Sequence, residues 1–216
     1  EPGVVNLDLT RAVEEHGLYF APDPSSQRAC TIGGNVSENS GGPHTLAYGV
    51  TSNHVTGLEL VLPDGQVVRV GGATIEAPGY ALTRLVVGSE GTFALVTEAT
   101  VRLLRAPEDV RTLLAIYDRV EDATNSVVEM TARGITPAAC EMLDGLMLRS
   151  VEDYVHAGFP VDSAAVLLIE IEGLREIVEA QAADVQEVCS RSGAREVRRA
   201  PRASPACTNP QSLDGK

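Results

Sequence analysis

The stretch from Ala21 to Gly42, APDPSSQRACTIGGNVSENSGG, restricts what this chain can fold into. Prolines, paired glycines, small hydroxyl residues and asparagines fill it, and almost nothing in it can enter a core. Proline fixes the turn and glycine permits positive φ or close approach of another group, so the composition is that of a binding loop held by a surrounding scaffold. A second loop, Gly88-Ser89-Glu90-Gly91-Thr92, leads into a β-branched run from Phe93 to Leu104 that reads as a long strand.

The scaffold can be read on both sides. Val4–Leu9 is a short apolar segment, Thr10 is placed as N-cap of a helix Arg11–His16, and Gly17 ends that helix. His54–Leu62 alternates as a strand, and Pro63-Asp64-Gly65-Gln66 predicts a hairpin to Val67–Val70. A short helix is expected over Tyr80–Val87. After a linker at Ala106–Asp109 the pattern changes to strand Thr112–Tyr117, helix Val120–Arg133, strand Ala138–Leu143 and helix Leu146–Val155. Strand Ala165–Ile171 and helix Leu174–Ser190 follow. Strands alternating with helices predict a two-layer α+β domain with its helices on one sheet face. From about Ala200 the text PRASPACTNPQSLDGK lacks periodicity and reads as an unstructured tail.

The net charge of −13 argues against nucleic acid or an anionic membrane surface as partner, and no apolar run is long enough for a transmembrane helix. Cys30, Cys140, Cys189 and Cys207 are scattered without metal or disulfide spacing, which points to a reducing compartment. The chain opens with neither an initiator Met nor a leader, and so reads as mid-protein. His16, His44, His54 and His156 show no metal-ligand spacing, and no metal is expected.

In Thr31-Ile32-Gly33-Gly34-Asn35-Val36-Ser37 the glycines let a flat ligand approach the backbone. The expectation is that their N–H groups donate to ring carbonyls or phosphate oxygens, with Thr31, Asn35 and Ser37 adding side-chain hydrogen bonds. The spacing is neither a Walker A loop nor a GxGxxG fingerprint, which sets aside a P-loop NTPase and an ordinary Rossmann enzyme.

Several motifs in order, PDPSS, CTIGGNVSENSGG, Tyr48-Gly49, LPDGQVV and GSEGTFALVTEATVRL, resemble the PCMH-type flavin-binding domain of the FAD-linked oxidases, the vanillyl-alcohol-oxidase-type superfamily. The likeness is to the glycolate oxidase D-subunit and D-lactate dehydrogenase branch. GITPAACEMLD and VEDYVHAGFPVD (Val151–Asp162) resemble the start of that branch's cap domain. The implied fold is α+β: the second half of a two-subdomain FAD-binding domain over 1–106, the first part of a mainly antiparallel cap domain over 107–200, and a tail over 201–216.

The resemblance implies FAD as cofactor. It assigns Pro22, Asp23, Pro24, Ser25, Ser26 and Thr31 to the pyrophosphate and ribityl neighbourhood, and Gly33, Gly34, Asn35 and Ser37 along the cofactor. Glu90 and Gly91 are placed beside the dinucleotide and the main chain of Val96 toward the flavin. The four histidines read as structural or exposed; His44, directly after Gly41-Gly42-Pro43, is the one with an alternative reading near the ring edge. Ala94 stands where the family usually has Gly. The family's first phosphate loop is not found in Glu1–Phe20, and its later Arg and His-containing motif lie beyond this text. The chain is therefore expected to retain FAD weakly or not at all and to carry no catalytic residue.

The implied activity is oxidation of a 2-hydroxy acid such as glycolate or D-lactate to the 2-oxo acid. Electron-accepting subunits are implied partners, with a cytoplasmic location or one at the inner membrane face. The alternatives are a non-catalytic flavin-binding subunit, or a flavin reductase of the UDP-N-acetylenolpyruvoylglucosamine reductase type.

Overall fold

Helix α1 spans Asn6–Val13 and passes into a 3-10 turn, Glu14–His16, that left-handed Gly17 closes. The expected helix start at Arg11 is thus corrected. Thr10 lies inside α1, and its hydroxyl accepts the Phe20 amide at 3.2 Å. Tertiary bonds replace the side-chain cap: the Asn6 and Leu7 amides donate to the carbonyls of Cys30 and Gln27 at 2.9 and 3.0 Å. The computed structural model describes residues 1–74, 79–156 and 158–201, in two units, Glu1–Ala106 and Pro107–Lys216. The expected tail lies, from residue 202 on, outside the described residues. No described helix is long and apolar enough to cross a membrane.

In the first unit, β1 (Leu18–Tyr19) leads to α2 (Ile32–Glu38), inside the stretch expected to be loop. Ile32 and Val36, one turn apart, are 5% and 0% exposed and enter the core, which corrects the expectation that this stretch contributes almost nothing to one. Each glycine costs a helix about 1 kcal/mol, so burial rather than propensity makes α2. The short α3 (Thr45–Tyr48) follows, then β2 (Val55–Val61), β3 (Val67–Gly71), α4 (Leu82–Val86), β4 (Leu95–Val101) and β5 (Leu104–Arg105). The hairpin at Pro63–Gln66 forms as expected, with Val61 opposite Val67.

The sheet order is β3-β2-β4, antiparallel throughout, and β1 pairs with β5 in a separate ribbon. Val55, Leu58 and Leu60 of β2 pack with Phe20, Val86, Val87 and Ala94. Burying each large apolar side chain contributes roughly 1.5–3 kcal/mol. The long strand expected from Phe93 is divided: β4 ends at Val101, the Arg102 amide adds a last bond to the His54 carbonyl at 2.7 Å, and β5 begins at Leu104.

The second unit contains β6 (Asp109–Tyr117), α5 (Val120–Ala132), β7 (Ala139–Asp144), α6 (Gly145–Val155), β8 (Ala165–Gly173), α7 (Arg175–Arg191) and β9 (Glu196–Arg199). The strands lie in the order β7-β8-β6-β9, all antiparallel, which is the split βαβ arrangement of ferredoxin-like folds with α6 added between its middle strands. Alternation sorts the residues: Leu113, Ala115 and Tyr117 of β6 and Leu167, Ile169 and Ile171 of β8 join Met130 of α5 and Val178, Val185 and Val188 of α7. Ile116 and Val166 point the other way and pack with Leu148 of α6. The expectation of helices on one face is thus corrected for α6, because both faces of β6 and β8 are apolar.

Strand β9 escaped the sequence reading because three of its four residues are charged and Val197 is its apolar contact with the core. Arg111, 5% exposed, fastens β6 to α7 through Glu179 at 2.6 Å and holds Asp109 at 2.8 Å.

Candidate functional site

Thr31 begins the site as N-cap of α2, its Oγ1 accepting the Gly34 amide at 3.2 Å. Just before it, Val5 and Thr31 form an isolated antiparallel bridge. The amide of Ile32 donates to the Val4 carbonyl and that of Gly33 to the Pro2 carbonyl, both at 2.8 Å. The expectation that the glycine N–H groups are aimed at a ligand is therefore corrected, since the Pro2 carbonyl takes that of Gly33 and Thr31 Oγ1 that of Gly34. A Cβ on Gly33 would lie 2.6 Å from Pro2 Cβ. Gly33 is glycine so that Pro2 can pack on the helix.

The other end of α2 is completed by the second loop. Gly88 donates to the Val36 carbonyl at 2.8 Å and Glu90 to the Ser37 carbonyl at 3.0 Å, which satisfies carbonyls that a helix end leaves bare. Glu90 and Gly91 both adopt left-handed conformations, φ 53° and 74°, to turn the chain at this contact.

Between these pieces lies a cleft of about 350 Å³, a size within the small-molecule range of roughly 300–1,000 Å³. Thr31, Gly33, Gly34 and Ser37 form one wall; Gly91 and the main-chain run Ala94-Leu95-Val96 form another; Pro2 and Gly3 close it. No lining side chain is ionisable. A Cβ added to Gly34 would meet Thr31 Oγ1 at 3.4 Å, and one on Gly91 would find no atom within 4 Å, so these glycines leave open floor.

The structure brings six of the expected residues together here: Thr31, Gly33, Gly34, Ser37, Gly91 and Val96. Asn35 does not line the cleft. It is 2% exposed and donates Nδ2 to Asn6 Oδ1 at 2.8 Å, while Asn6 Nδ2 donates to the Pro22 carbonyl at 3.0 Å. The Pro22-Asp23-Pro24-Ser25-Ser26 turn lies outside the lining, as does the exposed Glu90. Sequence reasoning missed Pro2, Gly3 and Leu95. A Pro-Gly pair ahead of two valines is a turn signal that could have flagged the first two.

Two histidines brace the stretch. His44 Nδ1 lies 2.6 Å from Asp23 Oδ2, and Gly42 has no Cβ because Asp23 occupies that space. His54 is fully buried, with Nε2 2.9 Å from the Tyr48 carbonyl and Nδ1 buried without a hydrogen-bond partner. Burial holds its imidazole below the ordinary pKa, partly offset by the Tyr48 bond.

Two family models match in chain order and define the class. Residues 1–71 match an FAD binding domain and residues 106–206 the C-terminal domain of FAD linked oxidases. The chain belongs to the FAD-linked oxidases, whose cofactor is FAD. It is 45% identical over 198 residues to glycolate oxidase subunit GlcD of Escherichia coli K12, covering 92% of this chain and 40% of that protein. It is 44% identical over 143 residues to D-lactate dehydrogenase of Archaeoglobus fulgidus, covering 66% of this chain and 32% of that protein. The chain thus spans well under half the length of these relatives. Solved alkyldihydroxyacetonephosphate synthase superposes with a TM-score of 0.76 at 20% identity, covering 92% of this chain and 39% of that one, a likeness of fold.

The cleft fits part of a flavin dinucleotide. Its floor is glycine, its lining is uncharged, and the hydroxyls of Thr31 and Ser37 are suited to phosphate, ribityl or ring oxygens.

Proposed function

We propose that this protein is the cofactor-binding part of an FAD-dependent oxidoreductase that converts a small 2-hydroxy acid, such as glycolate or D-lactate, to the 2-oxo acid. The single observation that carries the reading is the glycine-floored cleft between α2 and the Gly88–Gly91 loop. The names of the relatives, glycolate oxidase subunit and D-lactate dehydrogenase, supply the substrate class.

In this reading FAD supplies the hydride acceptor for the substrate α-carbon. The chain's own residues bind and orient. Thr31 and Ser37 offer hydroxyl donors, and Gly34 and Gly91 keep the wall low enough for close approach, while Gly33 lets Pro2 close the cleft. The main chain at Val96 borders the same space, and the Pro22–Ser26 turn with Asp23, outside the lining, enters the proposal through the family resemblance alone. Catalytic groups are not assigned among these residues. Since GlcD is a subunit by name, electron-accepting subunits are part of the proposal, as is a cytoplasmic location.

The test is to titrate the purified chain with FAD and then add glycolate or D-lactate without oxygen. Saturable binding without bleaching of the flavin absorbance is the expected result for a cofactor-binding part that holds no catalytic group of its own. Bleaching with either acid would overturn that restriction and place catalysis in this chain. Absence of saturable binding would overturn the flavin assignment itself.

A further inference from the structure

The two ends of the Ala21–Gly42 stretch converge on one buried imidazole. Phe20, immediately before the stretch, sets its ring against His54, with centroids 6.1 Å apart and planes at 78°. Tyr48, which ends the short helix after the stretch, presents its carbonyl to His54 Nε2 at 2.9 Å. A carbonyl only accepts, so Nε2 carries the proton and Nδ1 is the bare nitrogen of a neutral ring.

A second proton would have to sit on Nδ1, which is buried with no acceptor in reach. Phe20 and Tyr48 present a ring and a carbonyl, without charge. The charged group that faces the imidazole is Arg102, from the segment after β4, and its own Nε is buried without a partner. A cation beside this ring opposes a second one. Burial first, and Arg102 with it, favours the neutral form over the opposing effect of the Tyr48 bond.

We propose that His54 is the positioning residue of the cofactor stretch: as a neutral imidazole it holds the leading and trailing ends together, so that closure of the stretch is linked to release of one proton. The consequence for cofactor rests on the flavin reading, because the stretch carries Thr31, Gly33, Gly34 and Ser37; closure itself does not. In acid the ring gains a proton, Nδ1 becomes a donor without an acceptor, and the anchors at Phe20 and Tyr48 loosen together.

The experiment is amide hydrogen exchange over residues 27–42 of the full chain without FAD, corrected for intrinsic rates, between about pH 7.5 and pH 5. Protection in the wild type is expected to fall by up to roughly tenfold per pH unit as pH drops below the unfolded value of about 6.5, the limit for one linked proton, and to level off below the folded-state pKa. His54→Gln keeps an amide donor for the Tyr48 carbonyl and cannot be protonated, so its protection is expected to persist in acid. His54→Leu, which has no donor, is expected to lose protection at every pH.

Acid loss in His54→Gln equal to that of the wild type would overturn the proposal and point to the Asp23–His44 pair. Wild-type protection unchanged down to about pH 5 would overturn it too, since His54 would then have titrated, or failed to, without effect. Should His54→Gln not fold, proton NMR of the wild-type ring decides: a midpoint at the pH where the loss of protection levels off supports the proposal, and a mismatch overturns it. FAD titration of the same samples separates the two readings, because intact, proton-linked closure without FAD binding sinks the flavin assignment alone.

Discussion

Asn35 donates its side-chain amide to Asn6 at 2.8 Å, and both residues are all but sealed from solvent, at 2% and 1% exposure. Asn6 passes the connection on to the Pro22 carbonyl at 3.0 Å, so one polar relay joins α1, α2 and the proline turn. Asn35→Ala would leave the Asn6 carbonyl oxygen buried without this partner. We expect a loss of about 1–3 kcal/mol, measured by urea unfolding, with faster exchange in the Pro22–Ser26 turn.

Gly33 and Gly34 are adjacent and should behave oppositely. Gly33→Ala forces Pro2 away and is expected to destabilise the first unit by about 1–3 kcal/mol. Gly34→Ala meets only Thr31 Oγ1 at 3.4 Å, and replacing a helical glycine should stabilise by up to about 1 kcal/mol. Its Cβ projects at the cleft, so weaker FAD binding with a raised melting temperature is the expected signature. Calorimetry and fluorescence titration on both variants test the contrast.

The two units should respond to pH in opposite directions. The folded-state pKa of His54 is lowered by burial, so its contribution is complete above the unfolded value of about 6.5 and declines as pH falls below it. Burial raises the Tyr117 phenol well above its ordinary value, so its contribution is complete below about pH 10 and is lost as pH rises past that point. Thermal melts followed by exchange in each unit should show the first unit failing first in acid and the second in alkali. His54→Gln and Tyr117→Phe should flatten the respective slopes.

Cys140 and Cys189 should resist alkylation until the second unit unfolds. Burial pushes the Cys140 thiol up to about 11 and also raises that of Cys189. The thiolate is the reactive form, and neither site supplies it near neutral pH. Iodoacetamide labelling read by peptide mass, with and without urea, checks this. Rapid labelling in the native chain would contradict the buried position of Cys189 or, for the half-buried Cys140, its raised thiol pKa.

Hydrophobic period made the second unit largely legible. Thr112–Tyr117 and Ala165–Ile171 read as strands because their apolar runs are short and bounded, and α7 because Val178, Ala182, Val185 and Val188 follow helical spacing. What period could not convey is that Ile116 and Val166 are needed on the far side of the sheet, under α6. In the first unit the glycines hid α2, since local propensity opposes a helix there and only the packing of Ile32 and Val36 supports it. Asn35 looked like a ligand group for the same reason that it makes a good internal bond: a short amide can serve either. The Pro2-Gly3 turn signal marks a bend, but the packing of Pro2 on Gly33 that closes the cleft is a long-range contact that the local pattern does not encode.

The ribbon of β1 and β5 sets an order of events during synthesis. Leu18 pairs with Arg105 and Tyr19 with Leu104, so the earliest described strand of this unit waits for its last. The intervening segment must be closed at an entropic cost before the pair forms. Until Arg105 clears the ribosome exit tunnel, the nascent first unit holds Leu18 and Tyr19 without their partners, whereas the Pro63–Gln66 hairpin can form as soon as β3 is made. A pause in translation just upstream of Leu104 would prolong that unpaired state, and chaperone capture at this point should depend on the rate at which the last few codons of the unit are read.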